Sequence, residues 1–443
     1  MRPTRLALTF VATLFACDAG AMNLLQVYQE ALANDPVYAS ARAQLQAGQE
    51  RLPQGRAGLL PSVGVNGSYT RQETDANLAS TPGTIGIGAN VNTYTVSLAQ
   101  PLFRWANWEG FQQGRLAVAV SEAQFEQARQ DLIVRVAQAY FDVLTAQDAL
   151  ATVQAQKMAI TEQLAAAKRN FEVGTATVTD SQEAQARYDL AVAQEFAATS
   201  DLDIKRAALQ QIIGHPAPDL AGLRPGLLLP RPDPERMDPW VDSAERQNYN
   251  VVAQQFALEV ARREISKNRA GHYPTVDLVA SRTHSNQNGQ TITFTQPYVA
   301  NNTNVGVQWS MPLFSGFAVT SKVKESIAQE ERTRADLENA RRTAAQGARQ
   351  AFLGFASGLA QVKALEAAEV SSQSALDSNR LGYQVGVRIN IDVLNAQQQL
   401  YATRRDLARA RYDTLVNSLR LKSAAGVLQE QDLQKINTLL QTM

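Results

Sequence analysis

The sequence predicts a mixed α/β fold made of two copies of one unit, in which two amphipathic strands precede a very long helical hairpin. The first observation is internal repetition, since three segments of the first half return in the second half in the same order. The matched pairs are Ala57–Val63 with Ala270–Val276, Pro101–Phe103 with Pro312–Phe314, and Phe171–Gly174 with Tyr383–Gly386. Their offsets are 213 (270 − 57), 211 (312 − 101) and 212 (383 − 171) residues. Self-similarity that keeps its register indicates a repeated architecture.

The second observation is the length of the helical segments. No proline occurs from about Asn107 to Phe171, and apolar residues recur there at helical spacing; the pattern returns from about Ala318 to Leu381. At 1.5 Å per residue such a helix extends roughly 100 Å, which is far longer than a globular domain. The helices expected to run back are Ser181–Ile213 and Val393–Ala425, each followed by a glycine suited to a helix stop. Each half therefore contains an antiparallel helical hairpin.

The third observation is the alternation of apolar and polar residues ahead of each long helix. It predicts four strands of about ten residues, with one apolar face, which fits either an outer-membrane barrel or a soluble sandwich. The segments are Val63–Thr70, Thr93–Leu98, Thr275–Ser281 and Asn304–Trp309, with expected polar loops at Gln72–Asn90 and His284–Thr303. Four strands cannot close a barrel, for which about eight are needed. A membrane barrel therefore requires several chains, and three chains would supply twelve strands.

The ends of the chain and its middle complete the expected organisation. Basic residues, an apolar run and Ala19-Gly20-Ala21 predict a secretory signal peptide at 1–21. Cys17, the only cysteine, is either removed with this peptide or becomes an acylated first residue. The remaining predicted parts are a first repeat at 22–213, a connector with seven prolines at 214–240, a second repeat at 241–426, and a tail at 427–443. The tail is given no role beyond docking near the connector.

Composition excludes several classes of function. Beyond the signal peptide the chain has no apolar run of the ~20 residues that a membrane helix needs, so any crossing would use strands. The 42 basic and 42 acidic residues create no basic field, so nucleic acid is not an expected partner. His215, His272 and His284 lack the spacing of metal ligands, and no cofactor or metal site is expected. Without a phosphate-binding glycine loop, a nucleophile elbow or clustered histidines and carboxylates, we do not expect an enzyme.

A repeated motif at the hairpin tips identifies a family. Val-Gly-x-x-x-x-x-Asp occurs at Val173–Asp180 and again at Val385–Asp392, and Pro-Leu-Phe precedes both long helices. With the signal peptide and the duplicated units, the chain resembles the TolC family of outer membrane export ducts over essentially its whole mature length. The resemblance implies a homotrimer with a twelve-stranded barrel in outer membrane lipid, continuous with an α-helical barrel that crosses the periplasm. It also implies a closed periplasmic tip that opens by an iris-like movement on contact with a periplasmic adaptor and an inner-membrane RND or ABC transporter.

The same resemblance implies a polar network that closes the tip. Its positions correspond to Thr179 and Asp180 in the first hairpin and to Tyr383 and Arg388 in the second. The hypothesis is that Arg388 and Tyr383 bond Asp180 and Thr179 across hairpins in the closed state. The alternative is a solvated cluster beside a helix turn, since exposed ion pairs usually contribute little.

Two further positions correspond to acidic rings at the pore constriction of the family. They are Asp392 and Asn395, and the second departs from the family's acidic residue. Three chains would place three carboxylates at the mouth instead of six, which should weaken cation selectivity. The alternative for Asp392 is a residue at a helix N-terminus, where the helix dipole favours a negative charge.

The hairpin turns themselves are the expected adaptor contacts by resemblance. These tip residues are Val173, Gly174, Thr175, Val385, Gly386 and Val387. Turn geometry alone would also explain the two glycines. The other function class considered is a periplasmic adaptor or a coiled-coil interaction protein without a membrane barrel, but two matched hairpins, each preceded by paired strands, argue against it.

Overall fold

The structure is a computed structural model that describes residues 21–77, 83–175, 177–224, 226–227, 229–291, 294 and 296–441. The predicted signal peptide, apart from Ala21, and Cys17 with it lie outside the described residues. None of the described helices is both long enough and apolar enough to cross a membrane.

Both halves contain the predicted order of elements. The first half consists of α1 (Leu24–Asn34), α2 (Pro36–Gln49), α3 (Arg51–Ala57), β1 (Ser62–Asn77), β2 (Thr84–Phe103), α4 (Trp105–Glu172) and α5 (Val178–Ile213). The second consists of α6 (Asp238–Gln247), α7 (Tyr249–Arg269), β3 (Thr275–Gly289), β4 (Tyr298–Ser310), α8 (Ala318–Gln384) and α9 (Asn390–Ala424), followed by α10 (Glu430–Asn437). Ahead of the strands lie three helices in the first half and two in the second.

The long helices are continuous. α4 has 68 residues and α8 has 67, so each extends roughly 100 Å at 1.5 Å per residue. The returning helices α5 and α9 each begin three residues earlier than predicted. α5 is capped at its start by Thr177, whose hydroxyl accepts from the N–H of Asp180. α5 ends at Ile213 and is followed by Gly214, which adopts the left-handed conformation of a helix stop.

One antiparallel sheet joins the two halves in the order β1-β2-β3-β4. Its strands contain 16, 20, 15 and 13 residues, so the prediction of about ten was wrong. The expected loops Gln72–Asn90 and His284–Thr303 were also wrong, since most of their residues continue the strands. Backbone pairing does not need apolar side chains, and polar pairs form across these extensions, such as His284 with Asn301 at 2.8 Å.

The apolar face of this sheet is exposed. Val63 and Val65 on β1 and Val305 and Trp309 on β4 each expose between 66% and 73% of their surface. A soluble sandwich would bury this face against a second sheet, and the described residues form only one. The sandwich interpretation is therefore wrong for this chain.

The main core surrounds the middle of α4. Tyr140 and Phe141 are buried there, and the Tyr140 hydroxyl donates to the carbonyl oxygens of Met22 at 3.1 Å and Ala221 at 2.7 Å. The proline-rich connector thus packs against the helices. Burial raises the pKa of the Tyr140 hydroxyl, so its hydrogen atom remains available for these two bonds.

The tail contributes more than the sequence analysis assigned to it. It forms α10, which buries Leu433 and Ile436 in the main core, and Leu440 pairs with Leu223 of the connector in an antiparallel bridge. Docking near the connector is therefore observed. The apolar residues of the tail are few, but the spacing of three and four between Leu433, Ile436 and Leu440 places them on one face.

The long helices lie side by side. α4 packs against α5 on one side and against α9 on the other, and α9 packs in turn against α8. The second hairpin is therefore joined to the first through α4 and α9, and α5 and α8 form the two outer edges of the chain.

Two glycines with positive φ allow a test of how turns stabilise this fold. Gly426 (φ 75°) follows α9, and a Cβ there would lie 2.3 Å from the backbone oxygen of Gln247; Gly386 (φ 78°) has open space around it. Gly386→Ala should cost about 1 kcal/mol from backbone conformation alone. Gly426→Ala should lower the thermal midpoint of the detergent-solubilised protein further, as followed by circular dichroism. Equal shifts in the two variants would contradict the predicted clash.

Candidate functional site at the helical tips

The two hairpin turns close in the same way. Gly174 and Gly386 have φ values of 74° and 78°, and each donates its N–H to the carbonyl oxygen three residues earlier, at 3.0 and 3.1 Å. Val173, Val385 and Val387 each expose at least 64% of their surface. Turn geometry explains the two glycines but not the exposed valines.

The predicted network residues lie at the tips but have local partners within one chain. The Asp180 carboxylate accepts from the Thr177 N–H at 3.0 Å and its hydroxyl at 2.8 Å, which completes a capping box at the start of α5. The Arg388 guanidinium lies 3.6 Å from the Asp392 carboxylate, one turn further along the chain. The Tyr383 hydroxyl accepts from the Asn170 amide at 3.4 Å.

The expected bonds are not made within one chain. Among the described residues of a single chain, neither Arg388 nor Tyr383 bonds Asp180 or Thr179. The physical reason is proximity: Thr177 is three residues from Asp180, and Asp392 is four residues from Arg388, so these local contacts form at little entropic cost. Bonds between neighbouring chains stay a prediction.

Asn390 joins the hairpins instead. It is the first residue of α9 and is 1% exposed. Its side-chain oxygen accepts from the Gln163 amide of α4, and its amide nitrogen donates to the backbone oxygen of Asp180 at 3.4 Å. Sequence reasoning missed this residue, although a polar residue between Ile389 and Ile391 was a detectable signal.

An apolar cluster supports the same contact. Leu394 of α9 is buried together with residues of both helices in the first hairpin. The other fully buried members are Ile160, Leu164, Ala167, Ala184 and Ala191. Three of these six are alanines, whose small side chains allow the helices to approach closely.

The predicted constriction residues lie on the first turns of α9. The side chain of Asp392 is 33% exposed and pairs with Arg388, as described above. Asn395 is exposed, and its side-chain oxygen accepts from the Arg187 guanidinium of α5 at 3.0 Å. The same guanidinium also donates to the side-chain oxygen of Gln398. Sequence reasoning missed Arg187, whose partners lie more than 200 residues away in the chain.

The histidines have ordinary partners. His215 bonds Glu30 at 2.7 Å, and a further bond to the Pro216 carbonyl oxygen is the main cause that raises the pKa of its imidazole. Within the described part of the chain, no group of three or more His, Cys, Asp or Glu residues could hold a metal ion.

Comparison with known proteins shows which family this chain matches. The family described as "Outer membrane efflux protein" matches residues 27–215 and 240–427. The chain belongs to the outer membrane efflux protein family. As a member of this family it is an outer membrane channel of efflux or secretion systems, with its helical tunnel in the periplasm. The alternative of an adaptor or coiled-coil protein without a membrane barrel is therefore wrong.

Individual members of the outer membrane efflux protein family match over nearly the whole chain. Outer membrane protein TolC of Escherichia coli (strain K12) is 34% identical over 436 residues, covering 96% of this chain and 86% of that protein. Proteases secretion protein PrtF of Dickeya chrysanthemi is 34% identical over 447 residues, with 98% and 95% covered. The crystal structure of outer membrane protein VceC from Vibrio cholerae has the same fold, with a TM-score of 0.77 at 20% identity, and covers 91% of this chain and 96% of that chain.

The buried bridge at Asn390 generates a prediction within this family fold. Asn390→Ala leaves the Gln163 amide and the Asp180 carbonyl without their partner, which should cost about 1–3 kcal/mol. Asn379→Ala is the matched control, because Asn379 is only half-buried and its side chain bonds the Ala375 carbonyl of its own helix, at 2.9 Å, in a solvent-exposed hydrogen bond. Unfolding by guanidinium chloride measures the difference. Equal midpoints for the two variants would show that the bridge does not stabilise the tip.

Proposed function

We propose that three copies of this chain form a channel-tunnel that exports substrates from an inner-membrane transporter and a periplasmic adaptor to the outside of the cell. The substrates are drugs, other small molecules or secreted proteins. The observation that carries this proposal is a four-stranded sheet whose apolar face is exposed and whose two edges have no partner among the described residues.

The sheet supports assembly from several chains. β1 and β4 are its edge strands, and each has one side without a partner among the described residues. Unpaired backbone groups are not tolerated in lipid, so a membrane sheet has to close. In a trimer, β4 of one chain pairs with β1 of the next, and twelve strands complete the barrel.

The helices support the same arrangement. α5 and α8 are the outer edges of the chain, and both carry exposed large apolar residues. Phe196 and Ile204 lie on α5, and Leu353 and Val370 lie on α8. Each of these side chains exposes more than half of its surface in the single chain. Packing of α5 against α8 of the next chain would bury them and close the helical wall.

The junction of sheet and helices supports a continuous wall. β2 ends at Phe103 and α4 begins at Trp105, so only Arg104 separates strand from helix. The Arg104 guanidinium makes two bonds to the Asp277 carboxylate of β3, at 2.7 and 2.5 Å. A bidentate pair of this kind fixes the orientation of the guanidinium relative to the carboxylate. The long helix therefore leaves the sheet in a fixed direction.

The proposed gate lies at the opposite end. In the closed state Tyr383 and Arg388 bond Asp180 and Thr179 across neighbouring hairpins, and Asp392 and Asn395 line the constriction. Within one chain the partners of Tyr383 and Arg388 lie at 3.4 and 3.6 Å, which are long contacts. Exchanging them for shorter bonds to a neighbouring hairpin would cost little. An iris-like movement of the hairpins would break these bonds and widen the opening.

The exposed valines support the proposed partners. Apolar side chains at an outer tip are candidates for burial in a protein interface, and Val173, Val385 and Val387 are the apolar contacts proposed for the adaptor. The inner-membrane partner is an RND or ABC transporter. The name of PrtF assigns that relative to protease secretion, which is why secreted proteins are among the proposed substrates.

The assembly itself is the first test. The full chain expressed with its signal peptide should fractionate with the outer membrane and migrate, unheated, as a trimer that becomes a monomer on boiling. Reconstituted in a planar bilayer it should conduct ions. A monomeric mass by light scattering together with an unconducting bilayer would refute the proposed channel.

The gate is tested by removing the proposed cross-hairpin bonds. The double substitution Tyr383→Phe with Arg388→Ser should raise single-channel conductance, because each bond to a charged group that closes the tip is worth about 1.5–3 kcal/mol. Tyr401→Phe with Arg409→Ser is the matched control, since both residues lie further along α9. A double variant with the conductance of the unaltered protein would discard the network.

A further inference from the structure

Arg187 holds its positive charge between two neutral side chains. Its guanidinium reaches from α5 to α9, where it donates to the side-chain oxygens of Asn395 and Gln398. An amide oxygen accepts a hydrogen bond without carrying a charge, so it positions the guanidinium but does not neutralise it.

Within the part of the chain that the structure describes, no carboxylate forms an ion pair with the Arg187 guanidinium. The ion pairs that involve α5 are Lys157–Glu195, Lys205–Asp142 and Arg206–Asp219, and Arg187 takes part in none of them. Glu183 lies one turn earlier on α5, yet it forms no ion pair with Arg187. The guanidinium is turned toward α9 instead.

The neighbouring carboxylate is already balanced. Asp392, one turn before Asn395, pairs with Arg388 at 3.6 Å. The Asp180 carboxylate is engaged in the capping box of α5, so Arg187 is a charged group at this tip that has only neutral hydrogen-bond partners among the described residues. In a trimer this gives three such guanidinium groups around the opening.

We propose that Arg187 is a specificity-determining residue that makes the tip of this channel permissive to anions. It would favour solutes and unfolded segments that carry carboxylate, phosphate or sulfate groups. This inference rests on the proposed function, because it takes Asp392 and Asn395 to line the constriction.

The identity of residue 395 determines whether the charge of Arg187 is neutralised. An aspartate there would meet the Arg187 guanidinium with a full negative charge at hydrogen-bond distance and cancel its field. Asparagine keeps the same bond and leaves the charge. The absence of an acid at 395 and the presence of Arg187 thus act in the same direction on passing ions, since rings of charge set the selectivity of pores.

Ion selectivity in planar bilayers tests the inference. The reversal potential under a KCl gradient gives the ratio of potassium to chloride permeability. Arg187→Gln removes the charge and Asn395→Asp cancels it, so each should raise this ratio by at least about twofold. Asp392→Ala should lower the ratio. Arg409→Gln is the control and should leave it unchanged, because Arg409 is exposed on α9 and pairs with Asp413 of its own helix at 3.5 Å.

The two variants distinguish an effect of charge on the permeability ratio from an effect of a changed structure. Arg187→Gln weakens the contact between α5 and α9, whereas Asn395→Asp strengthens it, so only a charge effect moves the permeability ratio in the same direction in both. Should Arg187→Gln fail to assemble, Arg187→Met, which also removes the charge and keeps a long side chain, takes its place. A conducting trimer whose ratio is unchanged in the neutral Arg187 variant overturns the inference and leaves the channel standing, while a wild-type protein without conductance overturns both.

Discussion

The structure depends on the requirement that every backbone N–H and C=O in a lipid-facing sheet finds a partner. Among the described residues of one chain, β2 and β3 pair with a strand on each side, whereas β1 and β4 pair on one side only. Once the exposed apolar face lies in the membrane, water cannot bond the remaining backbone N–H and C=O groups at the edges of the sheet. Assembly of several chains is thus a condition for the barrel itself. In the helical part, the exposed apolar residues of α5 and α8 would likewise be buried by a neighbouring chain.

The duplication creates two equivalent tips, and differences at two neighbouring positions, Ala176 against Arg388 and Thr177 against Ile389, make them chemically different. Thr177 precedes α5, and the position 212 residues later, before α9, is Ile389. Thr177 can cap its helix and engages Asp180, whereas Ile389 has no side-chain oxygen and makes no cap. The equivalent carboxylate, Asp392, is therefore free to pair with Arg388. The hydroxyl of Thr177 and the guanidinium of Arg388 thus give the two equivalent aspartates different partners.

Much of the fold could be predicted from the sequence because its signals are local and repeated. Helical periodicity from Asn107 to Phe171 and alternation around Val63 and Val305 both report which faces are apolar. The loops were mispredicted because polar residues such as His284 and Asn301 satisfy a strand ladder as well as a turn. Asn390 and Arg187 were missed for another reason. Their partners lie 208 to 227 residues away in the chain, and only the folded arrangement brings them together.

The tip combines contacts of two different strengths. Leu394 and Asn390 are buried, so separating them from the first hairpin would expose apolar surface and leave polar groups unpaired. The side chains of Tyr383 and Arg388 are less buried than that of Asn390, so water can replace their contacts at lower cost. The two hairpins of one chain are thus joined by the buried contacts, which cost much free energy to break. Tyr383 and Arg388, which are proposed to bond neighbouring chains, make contacts that water can replace. Movement at such a tip requires the least free energy where chains meet, because opening there leaves the buried contacts within each chain intact.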